Sequence, residues 1–324
     1  MRTSHVGSFP LPYSLENVER VLRDLAELEL DIAPYPQMRS FVEIYIEPLI
    51  SAGIVEKRGD LYISTLEALD ISRVPQPRIP EAEHSINIVK RYGLEFKGLR
   101  APVTGPFTLA SRIYVGDPSL GLSATALARP NIVREFFVPY VARFVEYLQS
   151  LGYNYVFLDE PILGIVVGKK RVLFGYSEND IVTALDTILS VLNRAEGGIH
   201  VCGALSPKLF EILCSVPRAR YINIEFHDSR QNLDIVSREL LERYDKILAP
   251  GVVSSRNPAI ESVDEIRSLI NRVREVASDR VDLVSADCGF AGLREALPSC
   301  EECYAIAIEK LRRIVKAVRS LDVD

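Results

Sequence analysis

No apolar run in this chain approaches the ~20 residues that cross a bilayer. The first ten residues, Met1 to Pro10, lack the apolar core of a signal peptide. A cytoplasmic location with no membrane partner is the expectation. Basic charge is in short supply too, with 38 Lys and Arg against 44 Asp and Glu for a net charge of −6. That balance argues against a nucleic-acid partner. Cysteine is sparse and odd in number, 5 in 324 residues, which is no disulfide framework, and a chain of this length folds without staples. Cys214 lies in an apolar helical pattern and reads as core. Cys300-Glu301-Glu302-Cys303 has the spacing of a redox or metal pair, but it stands alone beside two acids that raise thiol pKa values, and it reads as inert. Internal repeats and low-complexity tracts are absent, and so is tryptophan.

What is present is ordinary for a globular chain, 48% hydrophobic and 25% charged. The length suits one (β/α)8 TIM barrel with N-terminal extensions, a single domain over 1–324. Helical patterns cover 14–30 and 37–52, a charged hairpin 55–64 and a proline-rich loop 74–80. From Gly98 onward strands and helices alternate. Strands are expected at 98–103, 153–158, 198–202, 221–225, 246–250 and 281–286. Helices are expected at 131–151, 178–194, 207–215, 233–244, 263–277 and 301–321. That alternation implies right-handed crossovers and a parallel sheet, with the remaining strands supplied by the N-terminal part.

Several of these strands end on ligand-type side chains. His200 and Cys202 stand at i and i+2, so in a strand they share one face. Glu225 closes Tyr221-Ile222-Asn223-Ile224, and Cys288 precedes Gly289, which allows a sharp turn. Two thiols, one imidazole and one carboxylate suit Zn2+ in type and number. The C-terminal ends of barrel strands are where such chemistry sits. The bland alternatives are a core histidine and core cysteines, and an ion pair of Glu225 with Arg230. Asp159 and Glu160 end another strand and point to opposite faces. One of them is expected at the barrel mouth, unless Asp159 is a helix cap. Thr104-Gly105-Pro106 is a strand-to-helix turn.

As a set, these segments resemble the catalytic domain of cobalamin-independent methionine synthases, within the barrel family that includes uroporphyrinogen decarboxylase. The carrying motifs are Val6-Gly7-Ser8-Phe9-Pro10, Thr104-Gly105-Pro106, Asp159-Glu160-Pro161, His200-Val201-Cys202, Ile224-Glu225, Pro250-Gly251-Val252 and Asp287-Cys288-Gly289. The resemblance implies zinc held by His200, Cys202, Glu225 and Cys288. It implies homocysteine held by Val6, Gly7, Ser8 and Asp159. The pattern also has gaps. The family's folate-stacking Trp is missing, Leu163-Gly164-Ile165 has no acid where a folate-contacting Glu belongs, and Arg256 stands nearest the proton-donating His. A second homocysteine-binding Glu has no match near Tyr35 to Arg39.

These motifs and gaps together imply a zinc-dependent methyltransferase that makes methionine from homocysteine. Asp159 would hold the ammonium and the Ser8 segment the carboxylate, with Asp159 and Arg256 as the catalytic candidates. The missing Trp and His point to a methylcorrinoid donor, methylcobalamin or a corrinoid protein. The alternatives are a methyltetrahydrofolate or other methylated pterin donor, another small thiol as acceptor, a non-catalytic zinc barrel, and a decarboxylase-like enzyme, which would need no metal.

Overall fold

The computed structural model describes residues 1–321. Among the described residues nine strands form in chain order: β1 (Ile32–Pro34), β2 (Glu56–Arg58), β3 (Leu61–Ile63), β4 (Gly98–Thr104), β5 (Ile113–Tyr114), β6 (Tyr155–Asp159), β7 (Glu196–Val201), β8 (Ala219–Glu225) and β9 (Ile247–Gly251). Six of them make one parallel sheet in the order β1-β4-β6-β7-β8-β9. The hairpin expected at 55–64 is β2 and β3, antiparallel, with β5 added alongside β3 as a second, three-stranded sheet.

The six-stranded sheet curls, and isolated parallel bridges continue past its edges. Leu248↔Val281 and Gly251↔Ser285 join β9 to the 281–285 segment, Thr3↔Val284 joins that segment to the N-terminus, and Ser4↔Ile32 joins the N-terminus to β1. Strand β6 shows why the sequence reads as a continuous apolar run. Its Tyr155 and Phe157 pack with Ile32, Tyr221, Ala249 and Leu283 on the inner face of the curl. Its Val156 and Leu158 pack outward into the large core under the helices. Both faces are buried, so neither is polar. Gly198 on β7 makes room for this packing, because a Cβ there would lie 2.4 Å from Phe157 Cε1.

The structure departs from the expected elements at several places, most of them with a local reason. The helix expected over 37–52 spans only Glu43–Ser51. Gln37 is used instead in backbone pairing with Gly7 and Phe9, and its side chain donates to the Tyr35 hydroxyl at 3.0 Å. The helix expected over 131–151 is regular only from Val138, after a π-type turn at Val133–Phe137. Pro139 has no N–H to offer the preceding turn, so the ladder slips there. Over 233–244 a 3-10 turn, Arg230–Asp234, gives way to the short helix Arg238–Arg243, capped by Ser237. The strand expected at 281–286 is reduced to bridges, because Leu283 takes φ 53° and interrupts the extended run. Strand β1 and the helix Pro80–Tyr92, with its proline at the first turn, lie where no regular pattern is visible. No described helix is long and apolar enough to cross a membrane.

Candidate functional site

The inner face of the curled sheet is layered from one end to the other. At the N-terminal ends of the strands, Arg2 is held on every side. Its Nε donates to Asp282 Oδ2 at 2.9 Å, and Nη1 and Nη2 donate to the Tyr155 and Tyr221 hydroxyls at 2.5 and 2.9 Å. The aromatic layer of Tyr155, Phe157 and Tyr221 lies beyond it. Arg100 follows, fully buried, its guanidinium 3.8 Å from the centre of the Phe157 ring and its Nη2 donating to Asn223 Oδ1 at 3.1 Å. Burial lowers its pKa to about 10. Above that are the strand ends.

Three of the four expected metal ligands converge there. The donor atoms of His200, Cys202 and Cys288 all lie within 4.8 Å of one another. His200 Nε2 is 3.0 Å from Cys202 Sγ, which is 2.9 Å from Cys288 Sγ, and both cysteines are free thiols. The other ring nitrogen, Nδ1, lies 3.2 Å from the backbone oxygen of Asn223, a contact that aims Nε2 at the sulfurs. Cys288 is held well below the usual thiol range by hydrogen bonds from Cys202 and His200. The same contact raises Cys202, and burial adds to it. Burial works to lower the His200 pKa, but the hydrogen bond and charge of Cys288 outweigh it. Glu225 is buried at the end of β8 outside this trio, with Oε1 accepting the Ser229 hydroxyl at 2.5 Å. Its partner is therefore Ser229. A borderline-soft cation fits this donor set, since one imidazole, one acidic thiol and a second thiol share a point with a carboxylate one strand away.

The two adjacent acids divide their work by the pleat. Asp159 faces inward, 6% exposed, and its Oδ1 has no hydrogen-bond partner. Burial pushes it up to about 7 against the pull of His200 and Arg100. Glu160 faces the other way and accepts the backbone N–H groups of Phe107 and Thr108 at 2.9 and 2.8 Å. It thereby closes the first turn of the helix Pro106–Ala110. The helix cap considered for Asp159 is thus supplied by its neighbour.

The segment Val6-Gly7-Ser8 is laid against the strand end that carries Cys288. Phe290 N–H donates to Ser8 O at 2.8 Å, and Ala291 N–H to Ser8 Oγ at 3.2 Å. A Cβ on Gly289 would fall 2.0 Å from Ser8 Oγ. Gly7 has φ 143°, with Pro102 Cγ 2.7 Å from where a Cβ would stand. Arg256, by contrast, is exposed on the loop after β9, with its side chain against Gly292. Cys214 is buried in its helix, while Cys300 is exposed and Cys303 buried with its thiol on Leu293 O at 2.9 Å.

Some residues of the site went unread in the sequence. Asp287 takes three backbone N–H groups, from Phe226 and His227 on Oδ1 and from Asp228 on Oδ2, at 2.7–3.1 Å. It ties the Cys288 strand end to the loop after Glu225. His227 lies between Asp228 Oδ1 at 2.8 Å and Glu261 Oε1 at 3.3 Å, against the loop after Pro250-Gly251-Val252. Glu261 is anchored by the buried Lys310 at 2.8 Å. The one advance sign of Arg100 was a charge inside an otherwise apolar strand. A cleft of about 710 Å³ opens between the loops after β6, β7 and β8, lined by Gly164, Val167, Lys169, Ala204, Lys208 and Ile235 among others.

A sequence model described as "Cobalamin-independent synthase, Catalytic domain" matches residues 97–317. A methionine synthase of Methanothermobacter marburgensis is 27% identical, covering 98% of this chain and 99% of its own. A 5-methyltetrahydropteroyltriglutamate–homocysteine methyltransferase of Thermotoga petrophila is 22% identical over 92% of this chain, which spans 40% of that longer protein. The structure of a B12-independent methionine synthase from Shewanella, in complex with selenomethionine, shares the fold at a TM-score of 0.70 and 16% identity, covering 99% of this chain and 98% of that one. The corrinoid donor expected from the missing Trp and His finds no support in these matches, because the matched family is described as cobalamin-independent. The match over residues 97–317 takes in β4 to β9 and the converging thiols, and the chain belongs to the family of cobalamin-independent synthase catalytic domains.

Proposed function

We propose that the protein transfers a methyl group from a methylated tetrahydropterin to the thiol of homocysteine, giving methionine. The supporting observation is the buried convergence of His200, Cys202 and Cys288 beside an Asp159 oxygen that has no partner. Family membership and the names carried by the relatives favour a pterin over a corrinoid. The fold is a (β/α)8 barrel in this reading. The bridged segments around Thr3–Ser4 and 281–285 act as the strands that complete the ring around one domain.

His200, Cys202 and Cys288, with Glu225 at the next strand end, would hold a zinc ion, which would supply the Lewis acidity that lowers the pKa of a thiol. The remaining work belongs to the chain. Asp159 Oδ1, buried and unpartnered, accepts the amino-acid ammonium. The Val6-Gly7-Ser8 segment, fastened to Phe290 and Ala291, sets the carboxylate end. The cleft lined by Gly164, Lys169 and Lys208, between the loops that follow β6, β7 and β8, takes the donor ring. Lys169 in the cleft and the exposed Arg256 on the loop after β9 offer positive charge to an acidic pterin tail. The missing Trp and the missing acid near Gly164 then describe a different grip on the pterin rather than a different methyl carrier.

The test is turnover of homocysteine by zinc-loaded protein, with methyltetrahydropteroyl polyglutamate and methylcobalamin as rival donors. Methionine formed from the pterin alone is the expected result. Methionine formed from methylcobalamin alone would refute the donor, and no methionine from either would refute the reaction.

A further inference from the structure

Arg100 is a cation with nowhere obvious to be. It is fully buried, and among the described residues its Nε and Nη1 have no hydrogen-bond partner. Its guanidinium donates to Asn223 Oδ1 through Nη2. That amide is itself fixed, because Asn223 Nδ2 donates to Ala249 O at 2.6 Å. Buried unsatisfied donors on a charged group are costly, and their retention calls for a reason. The Phe157 ring, 3.8 Å away, offsets part of that cost and holds the guanidinium in place. The position of the group supplies the reason. Asn223 is paired in register with His200 and lies two residues before Glu225. The guanidinium therefore sits directly beneath the ligand cluster, within electrostatic reach of Asp159 and Cys288.

The charge count of the site points the same way. Two thiolates and a carboxylate more than neutralise a divalent cation, and a substrate thiolate adds another negative charge in a buried place. Asp159 adds one more close by. Such an accumulation needs a positive group that water does not supply.

We propose that Arg100 is the fixed counter-cation of the site, a positioning residue whose charge makes room for the incoming thiolate. The proposal rests on the methyltransferase reading above. It separates cleanly from a role in carboxylate binding. Homocysteine bound as a thiolate adds a charge at sulfur, whereas methionine brings the same ammonium and carboxylate on a neutral sulfur.

The experiment measures the dissociation constants of homocysteine and methionine by calorimetry on zinc-loaded protein, for the natural chain, Arg100→Gln and Arg100→Lys. Arg100→Gln is expected to weaken homocysteine relative to methionine by about tenfold or more, the scale of one unit charge felt inside a protein. Arg100→Lys is expected to keep the ratio within about threefold. Competition with a chelator is expected to show zinc held at least as tightly in Arg100→Gln as in the natural protein, since removing a positive charge favours a cation. An unchanged ratio, or an equal loss for both ligands, overturns the proposal, and so does a loss of zinc that tracks the loss of thiol. Should Arg100→Gln fail to fold, Asn223→Asp carries the same test. A carboxylate there cancels the guanidinium and must lower the ratio, and an unchanged ratio counts against the proposal. Homocysteine that fails to bind the unsubstituted zinc protein overturns the functional reading itself, on its own arm of the experiment.

Discussion

Two arginines occupy the interior of the curled sheet, and they are treated in opposite ways. Arg2, at the N-terminal ends of the strands, has its guanidinium shared among Asp282, Tyr155 and Tyr221. Arg100, nearer the C-terminal ends, leaves two nitrogens open. The contrast extends to the whole interior. Among the described residues, the buried side-chain polar atoms without a partner are His5 Nδ1, Arg100 Nε and Nη1, and Asp159 Oδ1. All belong to the half that holds the thiols. One end of the same sheet is finished as structure, and the other is left incomplete in a way that a ligand can complete.

Removal of a thiol from the incomplete end is the strongest way to break the comparison. Cys288→Ala deletes one of three converging donors and the more acidic sulfur of the pair. Metal content by elemental analysis should fall well below one ion per chain. Methyl transfer should drop by about a thousandfold or more, since the Lewis acid accounts for several kcal/mol of the barrier. Thermal stability without metal should change little, because the side chain deleted is small. Full zinc retention with full turnover would end the distinction between the two halves.

His5 sharpens the comparison through pH. It is buried between Phe290, stacked at 4.7 Å, and Phe9, at 4.8 Å edge-on, and its pKa is lowered to about 3, mainly by burial. The unfolded chain takes up the proton near pH 6.5 and the folded one does not until near 3, so this group withdraws stability as pH falls through that window. At pH 4.5 the loss should be about 2–3 kcal/mol relative to pH 7. His5→Phe keeps the ring contacts and removes the titration. Urea midpoints at the two pH values should therefore differ less for the variant than for the natural protein. An identical difference would show that His5 is not buried as the fold requires.

Arg2→Met tests the finished end. The Asp282 carboxylate would keep the backbone N–H of residue 2 but lose the guanidinium, as would two tyrosine hydroxyls, and Arg2 and Asp282 have 29% and 18% side-chain exposure, so water offsets part of the loss. We expect about 1–3 kcal/mol less stability by urea titration. The methionine-forming rate below the transition should stay within about twofold of the natural protein, as for a site distant from the chemistry.

The same contrast explains what was legible in the sequence. β7 and β8 could be read because they are buried on both faces and end on His200, Cys202 and Glu225, types that apolar runs rarely carry. The 281–286 stretch was readable as apolar, but the positive φ of Leu283 that breaks its ladder leaves no mark in composition. Glu160 and Asp159 were legible as a pair pointing opposite ways. Which of them faced inward depended on the register of β6 against β4 and β7, a tertiary fact. The meeting of Arg100 with Asn223 was illegible for the same reason, since it spans 123 residues of sequence. The Asp287 contacts to the loop after Glu225 likewise join distant segments that no local periodicity connects.

The smallest expected effect belongs to Arg256, which the sequence placed nearest a proton-donating position. The fold leaves it exposed on the loop after β9, while the imidazole that lies against that loop is His227, brought from the end of β8. An exposed arginine at the rim can meet an acidic donor tail, but water screens the contact, and such contacts contribute roughly 0.2–1 kcal/mol. Arg256→Ala should therefore raise KM for the polyglutamylated pterin by about two- to fivefold, leave kcat within about twofold, and leave homocysteine affinity unchanged. The KM effect should shrink in high salt and with a monoglutamyl donor, since both remove the charge it acts on. A large loss of kcat with KM unaltered would place Arg256 in the chemistry after all. The exposed rim would then have to be counted with the incomplete half of the curled sheet rather than with its surface.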